Sequence, residues 1–185
     1  MKFVVEHLED EVWPWCILEY KHISEIVGKE NLIFTNVSKK DANKLNKLGK
    51  VYSESILNLD FKRCCLLDMN AKKELITNDK NKFDYFIFGG ILGDNPPRGR
   101  TKVLYKLNCE MRNLGKEQMS TDTAVLVTHK ILNGKKLKDI KFQDTIELKT
   151  AENESVILPF RYVIEKGKPV LAKGLLKMLK DQEGL

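Results

Sequence analysis

The part of the sequence best suited to binding a ligand is a glycine-rich loop that follows an apolar run. Residues 85–88 are Tyr-Phe-Ile-Phe, which predicts a buried strand. Gly89, Gly90 and Gly93 come next, and glycine permits both a positive φ and a close approach of a ligand to the backbone. Two prolines at 96–97 prevent a helix from starting there. Because open α/β sheets bind ligands at the carboxyl ends of their strands, we interpret this segment as a ligand loop, with a simple tight turn as the alternative.

Common catalytic motifs do not explain this loop. Phe88 stands where the dinucleotide fingerprint needs its first glycine, and no Gly-Lys-Ser/Thr follows at the spacing of a P-loop. Spacings typical of zinc proteases, serine hydrolases and zinc fingers do not occur either. His7, His22 and His129 are scattered along the chain. The sequence therefore predicts no metal site, and it favours structural or surface roles for the histidines.

Carboxylates near the first predicted strand are the candidates for acid–base chemistry. The cluster consists of Glu6, Glu9, Asp10, Glu11 and Glu19. Most side chains in such a cluster are solvated. Glu6 differs because it lies at the carboxyl end of a strand, where the ligand crevice of the sheet is expected to open.

Alternating apolar and helical patterns predict a parallel sheet with helices on both faces. Strands are predicted at residues 3–7, 31–37, 64–67, 83–88 and 109–114. Helices are predicted at residues 15–27, 39–47, 72–76 and 102–107, whereas residues 51–59 fit either state.

A second loop leads into a helix with a clear start signal. Ser120, Thr121 and Asp122 precede an apolar-periodic run at residues 124–132. Because a helix N-terminus favours electronegative groups, this loop is predicted to face a ligand as well.

The last part of the chain changes character. Strands at 140–148 and 156–163, joined by a polar turn at 151–154, predict a hairpin, and residues 169–180 predict a helix. We therefore expect a core domain at residues 1–137 and an appendage at residues 138–185.

Composition limits the partners and the compartment. The net charge is +6, and only five of the 32 basic residues are arginine. A lysine-rich surface favours solubility or thermophily, and it also permits an anionic partner such as RNA or a ribosome. Because no apolar run approaches the roughly 20 residues that span a bilayer, a cytoplasmic protein without a membrane segment is expected.

The cysteines show no Cys-x-x-Cys spacing. Cys64 and Cys65 are neighbours that cannot easily bridge each other, while Cys16 and Cys109 are isolated. All four are predicted to be reduced core residues.

Several stretches together resemble one known family. They are FGGILGDNPPRGRT, LGKEQMSTDTA, the opening EHLEDE with WCILEY, and PFRY with GKPVL. The resemblance is to the SPOUT, or α/β-knot, S-adenosylmethionine methyltransferases, and covers almost the whole chain. Within them it points to the group that contains the fungal enzyme methylating an arginine of ribosomal protein uS3. It implies a C-terminal trefoil knot that holds S-adenosylmethionine in its loops, although knots are rare.

The resemblance also implies which residues bind the cofactor. The first knot loop would be residues 88–94, the second 114–119, and the following helix cap would complete the site. The implied cofactor residues are Phe88, Gly89, Gly90, Ile91, Gly93, Asp94, Leu114, Gly115, Gln118, Met119, Ser120, Thr121 and Thr123.

The favoured substrate is an arginine of a ribosomal protein, with RNA methylation and a non-catalytic ribosome- or RNA-binding module as alternatives. The protein is expected to be a monomer or a homodimer. A guanidinium that attacks a sulfonium methyl group needs nearby negative charge and a proton acceptor. We therefore predict Glu6 and Asp94 as catalytic residues, with Glu19 in reserve and Asp122 as a helix cap.

Overall fold

The central sheet contains six parallel strands. The computed structural model describes residues 1–93, 98–149 and 155–183. The strands are β1 (Lys2–His7), β2 (Leu32–Thr35), β3 (Lys50–Val51), β4 (Cys64–Leu67), β5 (Tyr85–Gly90) and β6 (Glu110–Arg112). Their order is β3-β2-β1-β5-β4-β6, and every neighbouring pair is parallel. The predicted parallel sheet is confirmed, with β1 and β5 at its centre.

Side chains alternate along each strand, so each face of the sheet carries its own set of core residues. Both faces are covered by other elements of the fold. The helices are α1 (Pro14–Val27), α2 (Ala42–Leu45), α3 (Thr121–Leu132) and α4 (Leu175–Glu183). On β1, Phe3 and Val5 join the core beneath α1 and α3. Val4 points the other way, into a smaller core with Ile56 and Leu104 from two short 3-10 turns. These two layers position the strand ends that carry the site.

One predicted helix, at residues 72–76, is wrong. The backbone of this segment pairs instead with Asn113: Leu75 N–H donates to the Asn113 carbonyl at 3.0 Å, and Asn113 N–H donates to the Lys73 carbonyl at 2.8 Å. The segment thus runs alongside the strand edge beyond β6. The predicted helices at 39–47 and 102–107 are reduced to the four residues of α2 and a 3-10 turn at Arg100–Lys106.

The predicted C-terminal hairpin is confirmed. Strands β7 (Phe142–Lys149) and β8 (Ser155–Glu165) are antiparallel, and β9 (Lys168–Pro169) pairs with β8. The expected turn at 151–154 lies outside the described residues. A separate apolar cluster joins this small sheet and α4 to Trp15 and Leu18 of α1. The boundary after residue 137 and the trefoil knot stay predictions.

The structure corrects the expectation that all four cysteines are reduced. Cys64 and Cys109 form a disulfide, with Cα atoms 5.2 Å apart, whereas Cys16 and Cys65 are free and buried. Sequence spacing could not reveal this pair, because its members are 45 residues apart and meet only when β4 and β6 become neighbours.

Replacing Cys109 with Ser is expected to lower the free energy of unfolding by about 4 kcal/mol in a non-reducing buffer. A crosslink that closes a loop of 45 residues restricts the unfolded chain. Denaturant titrations with and without reductant measure the difference, which should largely vanish in reductant. Alkylation of Cys109 in the folded, unreduced protein would contradict this prediction.

None of the described helices is long and apolar enough to cross a membrane.

Candidate active site

A cavity of about 650 Å³ opens at the carboxyl ends of β4 and β5, as predicted for an open parallel sheet. Its walls come from the end of β4, the glycine loop, the second loop and residues 98–105. Many of the residues implied as cofactor ligands line it. They are Phe88, Gly89, Ile91, Gly93, Leu114, Gly115, Gln118, Met119 and Thr121. Gly90, Ser120 and Thr123 do not line it, and Asp94 lies outside the described residues.

The glycine loop is held from several sides. The Thr121 hydroxyl, at the start of α3, lies 3.4 Å from the Gly89 carbonyl oxygen, to which it donates a hydrogen bond. Leu92 N–H donates to the Glu9 carboxylate at 2.7 Å. Gly93 has a φ of +31°, and a Cβ built there would clash with the ring of Phe160 on β8. The C-terminal sheet therefore packs directly on the loop.

The second loop is also fixed by β8. Arg161 N–H donates to the Gln118 carbonyl at 2.8 Å, while the Arg161 guanidinium forms a bidentate pair with Asp144. Gly115 takes a φ of +101°, which a side chain would disfavour, and its N–H donates to Asn113 Oδ1 at 3.1 Å. These contacts hold both loops in place, so that their backbone groups lie at fixed positions along the cavity wall.

Two further side chains that line the cavity, Asp68 and Tyr105, were not predicted from the sequence. The Tyr105 hydroxyl donates to the Asp68 carboxylate at 2.9 Å. Asp68 directly follows β4, so the rule that drew attention to Glu6 applied equally to it. Tyr105 carries no comparable signal, because its position depends on a 3-10 turn that brings it back over the strand ends.

Glu6 is buried, but its carboxylate is fully engaged away from the cavity. It accepts hydrogen bonds from the Thr35 and Ser55 hydroxyls and, at 3.0 Å, from the Ile56 N–H. Through these contacts it anchors the turn at 55–58 to the sheet. Its catalytic role stays a prediction that this geometry does not favour.

A buried acidic pair lies behind the start of α3. Glu19 is 7% exposed. Burial, followed by the charge of Asp122, raises the pKa of Glu19 well above that of an ordinary glutamate. The Trp15 indole donates to Glu19 Oε1 at 3.0 Å. A buried carboxylate with a perturbed pKa is a candidate for catalysis, but Glu19, like Glu6, is not among the residues that line the cavity.

The partners of Asp122 hold this pair in place. His22 Nδ1 lies 2.7 Å from Asp122 Oδ2, and the Ser120 hydroxyl donates to Oδ1 at 2.6 Å. Asp122 Oδ1 also accepts from the Thr123 N–H at 2.8 Å. The prediction of Asp122 as the helix cap is wrong, because the N-cap of α3 is Ser120 and Asp122 is the second residue of the helix. Burial, with the charge of Asp122 next, raises the pKa of the neighbouring Tyr162 phenol. In residues 1–93, 98–149 and 155–183, no group of three or more His, Cys, Asp or Glu could hold a metal ion.

The six-stranded parallel sheet, with a cavity between the loops at its strand ends, belongs to a fold class that this chain shares with SPOUT methyltransferases. The crystal structure of a dual-specific Trm10 from Thermococcus kodakaraensis, 13% identical, shares this fold with a TM-score of 0.57, over 75% of this chain and 96% of that chain. The chain belongs to the SFM1-like protein arginine N-methyltransferase family, whose model matches residues 2–184.

Yeast relatives match over nearly the full length. The chain is 43% identical to protein arginine N-methyltransferase SFM1 of Saccharomyces cerevisiae, over 97% of this chain and 94% of the relative. The crystal structure of yeast SFM1 with SAM has a TM-score of 0.90 at 40% identity, covering 100% of this chain and 92% of that one. The complex with SAH has a TM-score of 0.88 at 41% identity, covering 97% and 94%.

Proposed function

We propose that the protein transfers a methyl group from S-adenosylmethionine to an arginine of ribosomal protein uS3. Protein arginine methylation with S-adenosylmethionine is the activity of the family to which the chain belongs. The choice of uS3 rests on the resemblance of the loop motifs to the group that methylates this protein.

The observation that carries the proposal is the cavity at the strand ends. Its volume of about 650 Å³ lies in the range that holds a cofactor-sized molecule. Yeast SFM1 has been crystallised with SAM, SAH and MTA. In the proposed complex, backbone groups of the two loops hold adenine and ribose. Gly90, Ser120 and Thr123 would act indirectly by shaping these loops.

Among the predicted catalytic residues, Glu19 has the best support. A guanidinium, which stays protonated throughout the physiological pH range, must lose a proton while it approaches a positively charged sulfonium. At about 4 Å and an effective dielectric of about 20, one carboxylate contributes roughly 4 kcal/mol of attraction before desolvation. Glu19 lies beside Asp122, and the residue before Asp122, Thr121, lines the cavity.

The charges on the surface favour a protein substrate over RNA. The basic stretch at 39–47 is the candidate nucleic-acid surface, but two of its lysines are paired with acids. Lys40 lies 2.7 Å from Glu11, and Lys44 lies 2.6 Å from Asp41. No aromatic residue in that stretch offers a base-stacking platform.

The experiment is methyl transfer from radiolabelled S-adenosylmethionine to ribosomal proteins and, in parallel, to rRNA. We expect label in uS3, at an arginine located by peptide mass spectrometry, and none in deproteinised rRNA. Label in rRNA would support the alternative of RNA methylation. Label in a different ribosomal protein would support protein methylation but would show that uS3 is not the substrate.

A further inference from the structure

We propose that Glu9 is a positioning residue that ties the glycine loop to Arg100 and thereby holds the cofactor cavity in its binding shape. The proposal rests on the proposed function, because it concerns the same cavity. Glu9 is not among the residues that line the cavity. It would act through the loop rather than through contact with the cofactor.

One carboxylate joins two points of the chain, Leu92 within the glycine loop and Arg100 beyond it. Glu9 Oε1 accepts from the Leu92 N–H at 2.7 Å. The same carboxylate accepts two hydrogen bonds from the Arg100 guanidinium, Nη2 to Oε1 at 2.9 Å and Nη1 to Oε2 at 3.0 Å. Such a bidentate pair fixes the orientation of both groups as well as their separation.

The surroundings make this contact stronger than an ordinary surface ion pair. The side chains of Glu9 and Arg100 are only 15% and 31% exposed. Solvent therefore screens the pair less than it screens exposed pairs, which contribute little. Arg100 Nη1 also lies 3.4 Å from the Leu8 carbonyl oxygen, which connects the pair to the end of β1.

The residues next to the two tied points form part of the cavity wall. Gly93 and Gly99 both line the cavity, and both have positive φ values, +31° and +67°. Glycine backbone is freer than that of other residues, so fixing it in one shape has a larger entropic cost. If the competent shape were less populated, the apparent affinity for the cofactor would fall in proportion.

The test compares Glu9→Gln with the wild-type protein by calorimetry with S-adenosylhomocysteine and by steady-state kinetics. We expect affinity to fall about 10-fold and the KM for S-adenosylmethionine to rise by a similar factor, with kcat changed less than about 3-fold. Glu11→Gln is the matched control, because it removes a carboxylate from the same surface segment where Glu11 pairs with Lys40. Its affinity should equal that of the wild type.

A second variant distinguishes loss of the Glu9–Arg100 contact, which we call the clamp, from general structural damage. Arg100→Lys keeps the positive charge but cannot form the bidentate pair of hydrogen bonds with Glu9. It should lower the affinity for S-adenosylhomocysteine about as much as Glu9→Gln. Combining the two changes should add little further loss, because both break the same contact. Unchanged affinity in both variants, or fully additive losses, would overturn the clamp. A wild-type protein that binds no S-adenosylhomocysteine would overturn the proposed function instead.

Discussion

Replacing Glu19 with Gln is expected to reduce the turnover of methyl transfer by on the order of 10²-fold while cofactor affinity changes little. Gln preserves the shape and the hydrogen bond from the Trp15 indole, but it supplies neither negative charge nor a proton acceptor. Single-turnover assays with labelled S-adenosylmethionine measure the chemical step, and calorimetry measures binding. Glu25→Gln is the control, because Glu25 is an exposed carboxylate on the same helix. Normal turnover in Glu19→Gln would remove Glu19 from the mechanism.

The dependence of turnover on pH should also show that Glu19 takes part in the reaction. Burial and the nearby charge of Asp122 raise the pKa of Glu19 above 4.5, so the carboxylate is ionised only at a higher pH than usual. Wild-type turnover should rise as the pH increases through this raised pKa. The Glu19→Gln variant should lack that rise, whereas Glu25→Gln should keep it.

As the pH rises through the raised pKa of Glu19, the contribution of this residue to the free energy of unfolding should fall while turnover increases. An acid whose pKa is raised in the folded protein stabilises the fold most at low pH, and this contribution is lost as the pH rises from the unfolded pKa to the folded one. At neutral pH the buried side chain of Glu19 therefore lowers the free energy of unfolding. Denaturant unfolding at neutral pH should find Glu19→Gln more stable than the wild type, a combination typical of functional residues.

The contrast between Glu6 and Glu19 explains why the site was only partly predictable. The position of Glu6 at the end of β1 was correctly deduced from the apolar run before it. Its direction depends on the strand alternation: Val5 faces α1 and α3, so Glu6 faces the opposite layer and meets Ile56. Sequence position indicated the edge of the sheet but not the face.

Long-range pairing accounts for the other differences. Five strands of the central sheet and the long helices α1 and α3 were predictable because each shows a local apolar run or periodicity, whereas β3 (Lys50–Val51) was not predicted. The disulfide between Cys64 and Cys109, the strand-like course of residues 72–76 and the approach of Phe160 to Gly93 all depend on segments distant in sequence. No local pattern encodes such meetings.

Replacing Gly90 or Gly93 with Ala is expected to have different effects: the first change should lower stability, and the second should lower cofactor affinity. A Cβ on Gly90 would lie 2.6 Å from the Tyr20 hydroxyl and 2.8 Å from Val5 Cγ1. Both neighbours are buried in the core and cannot easily move, so Gly90→Ala should destabilise the protein by about 3 kcal/mol. Thermal or denaturant unfolding measures this loss.

Gly93→Ala should instead lower cofactor affinity about 10-fold or more, because Gly93 lines the cavity and its positive φ disfavours a side chain. Its Cβ would also clash with the Phe160 ring, which is only partly buried. Adding Phe160→Ala removes that clash but not the backbone strain, so affinity recovers only if the ring is the cause. Gly134→Ala is the matched control: Gly134 has a φ of +102° with no atom within 4 Å of its Cβ position, just past the end of α3. It should lose stability without losing affinity. Equal cofactor affinity in Gly93→Ala and Gly134→Ala would show that the first loop does not contribute to binding.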